Sequence, residues 1–243
     1  MRCLTFAKRC GKEILRDPLN LAFGLGFPVV LLLLLSLIQR NVPVPLFAIE
    51  SLAPGITVFG LSFLTLFAAT LVAKDRESAL LLRLYTTPMR GGDFLLGYLL
   101  PLLPIALGQV AVCFLAALPL GLPFTPGILW AILGALPMAV CNVSLGLLFG
   151  SLLGVKQTGG LVGALFTNLS AWLSGIWFDP KLVGGAFEGM ANALPFLHAV
   201  EWERALYSGD LEGAWMHLGI VSLYALGATV LAAVFFLRQM KKQ

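Results

Sequence analysis

The chain has 243 residues, 59% of them hydrophobic and only 12% charged, with a formal net charge of +4. A soluble domain carries about 25% charged residues, so this composition excludes an ordinary water-soluble globule. The small positive excess is segregated along the chain, which marks membrane topology rather than nucleic-acid binding.

Residues 1–17 carry Arg2, Lys8, Arg9, Lys12 and Arg16. Leu4, Ala7, Ile14 and Leu15 recur near helical spacing, while Arg2, Arg9, Glu13 and Arg16 fall on another face. A basic amphipathic helix of this kind lies along the inner leaflet, held by its apolar side and by anionic lipid. Asp17–Pro18 breaks the pattern.

Six apolar runs follow: Leu19–Ile38, Pro54–Ala73, Phe94–Leu118, Ile128–Leu153, Gly160–Phe178 and Ala214–Leu237. Each approaches the ~20 residues at ~1.5 Å rise with which a helix crosses ~30 Å of hydrocarbon. Thirteen of the sixteen Lys and Arg residues flank one side, and only Arg40, Lys181 and Arg204 flank the other. The positive-inside rule then puts both termini in the cytoplasm. The expected architecture is all-α and integral to the membrane, with six transmembrane helices forming one unit over residues 1–243. A cleaved signal peptide is not expected, because the first apolar run follows a long basic arm.

Gly146, Gly150 and Gly154, then Gly159 and Gly163, give small-xxx-small spacing that favours close helix packing within the chain. Trp130, Trp177, Trp202 and Trp215 fall at the outer side as an aromatic belt, with Trp172 inside the fifth run. Residues 179–213 are too apolar for a loose linker and too short to cross and return. Two short re-entrant or interfacial helices, broken near Asn192 and Pro195, are expected there. Cys3, Cys10, Cys113 and Cys141 lie in the cytoplasmic arm or within spans, so free thiols are expected.

The six runs as drawn contain no Asp, Glu, Lys, Arg or His. An intramembrane charge costs at least ~2.5–3.5 kcal/mol and is normally kept for proton or ion coupling. The chain also lacks a phosphate-binding loop, an H-E-x-x-H and a G-x-S-x-G. His198 and Glu201, with Glu203 nearby, make a poor metal site and read as a hydrogen-bonded structural pair. A membrane protein with no energy chemistry of its own needs a partner.

The docking candidate is the loop at 74–93. Leu80, Leu81, Leu84 and Tyr85 form an apolar stripe at helical spacing, stopped by Pro88, and Arg76, Glu77 and Arg83 are placed to fix a register.

Several runs resemble the ABC-2 type transporter permeases. Leu52-Ala53-Pro54-Gly55-Ile56, Asp75-Arg76-Glu77, Arg83-Leu84, Thr87-Pro88 and Leu96-Gly97 look like that family's second span and coupling helix. Leu194-Pro195-Phe196 and His198-Ala199-Val200-Glu201, followed by Arg204 and Gly209-Asp210, are similar to its outer segment. The resemblance implies a non-catalytic permease subunit of an ATP-driven exporter in the cell membrane, moving a lipophilic or amphiphilic substrate. Its implied partners are cytosolic ABC ATPase subunits, a second or similar permease, and membrane lipids. No cofactor is expected on this chain, with ATP and Mg on the partner ATPase.

In the same terms, residues 1–17 are the connecting helix. Asp75, Arg76, Glu77, Leu80, Arg83, Leu84 and Pro88 belong to ATPase coupling. Ser62, Leu66, Thr70, Asn168, Trp172 and Ser174 are candidates to line the pathway, and Pro195, His198 and Glu201 mark the outer segment. Two other classes stay open: an ion-coupled carrier, which needs a buried carboxylate, and an intramembrane enzyme, which needs a nucleophile or metal ligands at depth.

Overall fold

Hydrocarbon offers a backbone no hydrogen-bond partner, so long apolar runs must satisfy their N–H and C=O groups internally as helices. The computed structural model describes residues 2–45, 47–85 and 91–241, and among these no strand occurs. Helices α1 (Arg2–Leu15) and α2 (Pro18–Leu21) lead through a π-helical stretch, Ala22–Gly26, into α3 (Phe27–Arg40). Then come α4 (Ile49–Glu77), α5 (Leu80–Tyr85), α6 (Gly91–Ala117), α7 (Gly127–Gly134) and α8 (Leu136–Leu152). Next, α9 (Val155–Gln157) passes through π-helical Thr158–Phe166 into α10 (Thr167–Trp172). The chain ends with α11 (Pro180–Val183), α12 (Gly185–Ala193), α13 (Pro195–Ser208) and α14 (Ala214–Lys241).

Among the described residues, five stretches are long and apolar enough to cross a bilayer: Ala22–Arg40, Ile49–Glu77, Gly91–Leu120, Gly127–Leu152 and Ala214–Arg238. The predicted fifth span differs. Its helix stops at Trp172, short of Phe178, and Gly175 turns the chain with φ 71°. The segment nevertheless runs alongside α4 from end to end. Val155 is bonded to Glu77 at one end, and Ile176 packs on Gly55 at the other.

Helix α4 is the axis of the bundle, and α8 lies directly against it. A Cβ on Gly146 would come within 2.5 Å of the Thr65 carbonyl, and one on Gly150 within 2.4 Å of that of Ala69. The small-residue spacing therefore serves packing inside the chain, as expected. Thr65 Oγ1 reaches the carbonyl and Oδ1 of Asn142, both at 3.0 Å, and Ser144 meets Thr229 of α14 at 2.8 Å.

The phase of α1 departs from the sequence reading. Phe6, Ala7, Cys10 and Ile14 form the buried face, whereas Leu4 and Leu15 are each 67% exposed. Phe6 fills the notch left by Gly97, where an added Cβ would lie 2.2 Å from its ring. It also meets Phe94 and Tyr98 edge-on at 5.9 and 4.9 Å. The period is helical as expected, but the partner on α6 selects which face is buried.

At the far end, residues 179–208 form three short helices rather than two, with the break at Leu194–Pro195. Trp202 is buried there, its indole N–H donating to the Gly134 carbonyl at 3.1 Å. All four cysteines are free thiols. Asp75 and Glu203 are buried carboxyl groups. Both fall outside the six runs as drawn, but they change the expectation that the bundle conceals no carboxylate.

Candidate coupling junction

The last turn of α4 carries four consecutive charged residues, Lys74 to Glu77, each bonded to a different neighbour. Helical residues point about 100° apart, so four in a row reach all the way round. Lys74 Nζ donates to Asp17 Oδ2 at 3.3 Å, in the turn between α1 and α2. Asp17 also accepts from the backbone N–H and side-chain amide of Asn20, at 3.2 and 2.8 Å. Burial acts to raise the Asp17 carboxyl, but the bonds from Asn20 and Lys74 outweigh it and hold it below its usual range.

Asp75 is 1% exposed and fully engaged. Arg9 of α1 grips it with both guanidinium nitrogens, Nη1 to Oδ2 and Nη2 to Oδ1, each at 2.7 Å. Tyr98 of α6 donates its hydroxyl to Oδ2, also at 2.7 Å. Burying a carboxylate costs several kcal/mol unless its lone pairs are met by charged or well-aimed donors; here three donors meet them. The bond to Asp75, reinforced by its charge and that of Glu13, raises the Arg9 guanidinium still further, so it stays charged.

Arg76 Nη1 donates to the Gly150 carbonyl at 2.9 Å and the Leu153 carbonyl at 3.4 Å. These stand at the C-terminal end of α8, where carbonyls lack intrahelical partners and a cation is favoured. Glu77 Oε1 accepts the Val155 backbone N–H at 2.9 Å, closing the start of α9. An anion is favoured there for the opposite reason.

The sequence reading put Asp75, Arg76 and Glu77 on the docking helix. They instead complete α4, and Asp75 faces inward. Ala79, with φ 55°, turns the chain out of α4 in a left-handed conformation usually given to glycine. Leu80, Arg83 and Leu84 then lie in α5. Leu81 is buried, Leu80 half-buried and Arg83 exposed. Pro88 lies outside the described residues.

Residues 1–207 match the family model described as ABC-2 type transporter. The chain belongs to the ABC-2 type transporter family. The match takes in α1, the junction and the helices α11 to α13, and ends before α14. No curated protein matches the chain. The molecule is thus a transport membrane subunit of the ABC-2 type, multi-pass in its apolar helices.

The pathway candidates of this ABC-2 permease are not brought into one cavity. Ser62 and Ser174 are buried and bond back to their own chain, at Phe59 and Ala171. Leu66 packs against Gly163, and Thr70 lines a small cavity with Phe67, Asp17 and Lys74. Asn168 and Trp172 are exposed, on a face with Leu161, Leu165 and Leu169.

In the segment expected to lie outside, Pro195 begins α13. His198 and Glu201 do not pair with each other as expected. Glu201 takes Arg204 at 2.8 Å, and His198 Nδ1 faces His217 Nδ1 at 2.7 Å. Arg9, Tyr98, Arg204 and His217 were missed as partners. The local signals were the i, i+4 spacing of Arg9 and Glu13, which do pair, at 2.6 Å, and the i, i+3 spacing of Glu201 and Arg204.

Proposed function

We propose that this ABC-2 permease is the membrane subunit of an ATP-driven exporter for a lipophilic or amphiphilic substrate, powered by a separate cytosolic ATPase. In this reading the chain is a single permease unit with six passes in the cell membrane and both termini cytoplasmic. The α1 end, which gathers most of the basic residues, faces the ATPase. A second permease copy, or a similar permease, completes the pathway beside Asn168 and Trp172.

The observation that carries the proposal is the fan of Lys74, Asp75, Arg76 and Glu77. It joins the foot of α4 to α1, α6, α8 and α9. A partner pressing on α5 or α1 reaches the central helix through it, and the bidentate Arg9–Asp75 pair makes that connection stiff. Asp75, Arg76 and Glu77 act as transmitting residues, while Leu80, Arg83, Leu84 and Pro88 meet the partner.

Co-purification with the partner ATPase tests the docking half. Leu84→Asp deletes an apolar contact and lowers recovery of the ATPase, whereas equal recovery removes the assignment. Reconstituted transport tests the other half. Glu77→Ala lowers transport per ATP hydrolysed, and Glu77→Gln, which keeps an acceptor for the Val155 N–H, restores it. Unchanged coupling in Glu77→Ala sinks the transmission role.

One observation favours the ion-coupled alternative: Glu203 is a buried carboxyl group whose Oε2 has no hydrogen-bond partner. Export that stops with an uncoupler while ATP is held constant would select that reading.

A further inference from the structure

Three features of the far end meet at one point. His198 of α13 and His217 of α14 oppose each other through Nδ1 atoms 2.7 Å apart, with ring centroids at 5.0 Å. His198 Nε2 lies 2.9 Å from the Asn192 carbonyl, near the end of α12. Tyr224 of α14 donates to the next carbonyl, Ala193, at 2.7 Å. The α12–α13 hairpin is thus pinned to α14 at its bend.

A carbonyl oxygen only accepts, so His198 Nε2 carries the proton. Neutral His198 then offers a lone pair at Nδ1, and His217 Nδ1–H fills it. His217 Nε2 is left as the position where the pair takes a first added proton, and that uptake keeps the bond and makes it charge-assisted. A second added proton has only His198 Nδ1 to occupy. It would set two N–H groups head-on across 2.7 Å, and the bond must break.

The pair is reached from outside, because His217 lines two adjoining cavities of about 870 and 620 Å³. The charged groups around it are Glu201 and Arg204 of α13, Glu50 of α4, Asp179 and Lys181 of the α11 turn, and Asp210 and Glu212 before α14. Glu188 lies on α12. Glu201 lines both cavities beside His217 and is the nearest carboxylate of α13. Arg204, bonded to Glu201 at 2.8 Å, tempers it.

We propose that His198 and His217 form a proton-operated latch, closed with zero or one added proton and opened by two, which leaves the α12–α13 bend held to α14 by Tyr224 alone when the medium on that side of the membrane is acidified. The latch stands apart from the ATP-driven reading, since its test needs no partner ATPase.

Hydrogen exchange of the full chain in lipid nanodiscs, corrected for intrinsic rates, reads the pinning at residues 190–202. Between pH 7.5 and pH 4.5 the wild type loses about tenfold protection there. His217→Gln, whose amide donates to neutral His198 Nδ1 and turns its Oε1 to accept from the protonated ring, stays protected at both. Constant protection in the wild type overturns the proposal, as does an equal loss in His217→Gln. Imidazole nitrogen resonances of the wild type give a check free of variants. Two coupled steps are expected, the second displaced to lower pH than the first because the protons share one pair. Two independent titrations at the same pH overturn it, and so does tightening by zinc alone, which would make the pair a metal site.

Discussion

Arg9 holds Asp75 by two N–H···O bonds of 2.7 Å each, although 66 residues separate them. This pair fastens the amphipathic α1 to the foot of the central helix.

Removing one partner exposes what the pair supports. Arg9→Ala leaves a carboxylate that is 1% exposed facing only the Tyr98 hydroxyl. The expected loss is about 2–3 kcal/mol, below the ~3–5 of a fully buried pair because water still reaches the guanidinium. The double variant Arg9→Met/Asp75→Leu recovers much of it. Thermal unfolding in detergent measures both, and losses that simply add would deny the coupling.

Thiol labelling reports the docking of α1. Cys10 is wholly buried, and burial, helped by the Asp75 charge, pushes its thiol up to about 12. Thiolate is the reactive form, so a maleimide at pH 7.5 should modify the more accessible Cys3 and leave Cys10 untouched until the chain is denatured. Arg9→Ala should open Cys10 to the reagent. Rapid modification of Cys10 in the native wild type would contradict the docked position.

Glycines on two helices should respond in opposite directions. Gly150→Leu drives a side chain into the Ala69 backbone and should prevent a monodisperse bundle. A Cβ at Gly227 of α14 meets nothing within 4 Å. Gly227→Ala should therefore raise stability by up to ~1 kcal/mol through helix propensity alone. Size-exclusion profiles and melting temperatures separate the two cases.

Glu203 gives a pH signature. Burial pushes its carboxyl well above the usual value of 4.5. Because the folded state binds this proton more tightly than the unfolded chain, its contribution to stability is complete below pH 4.5 and declines as pH rises toward the folded value. Glu203→Gln should flatten that decline in melting temperature above pH 4.5. An identical slope in wild type and variant would mean that other groups cause it.

Much of the architecture was legible because it depends on local pattern. The helical runs, the break before Pro195 and the free thiols follow from hydropathy, proline chemistry and position. The coupling junction was legible only as a place. Lys74 to Glu77 stood out as charged residues beside an apolar stripe, which reads as a solvated docking face. That Asp75 turns inward, and that the other three bond to neighbouring segments, depends on Arg9, Tyr98, Asp17, Gly150 and Val155, which no periodicity links to them. Likewise, the period of α1 was visible, but the choice of Phe6 over Leu4 rests on a notch at Gly97. His198 was paired with the nearest acidic residue in sequence, whereas α14 brings His217 closer. The fifth run was drawn too long because apolar composition continues past Trp172, while the left-handed Gly175 ends the helix.

The four anchors at the foot of α4 also restrict how that helix can move. Spinning it by a single residue would swing Lys74, Asp75, Arg76 and Glu77 through about 100° and strip all four bonds at once. Leaning it over, with its neighbours following, strips none. The central helix is therefore built to rock like a lever, and a screw-like stroke is the one motion its own footing forbids.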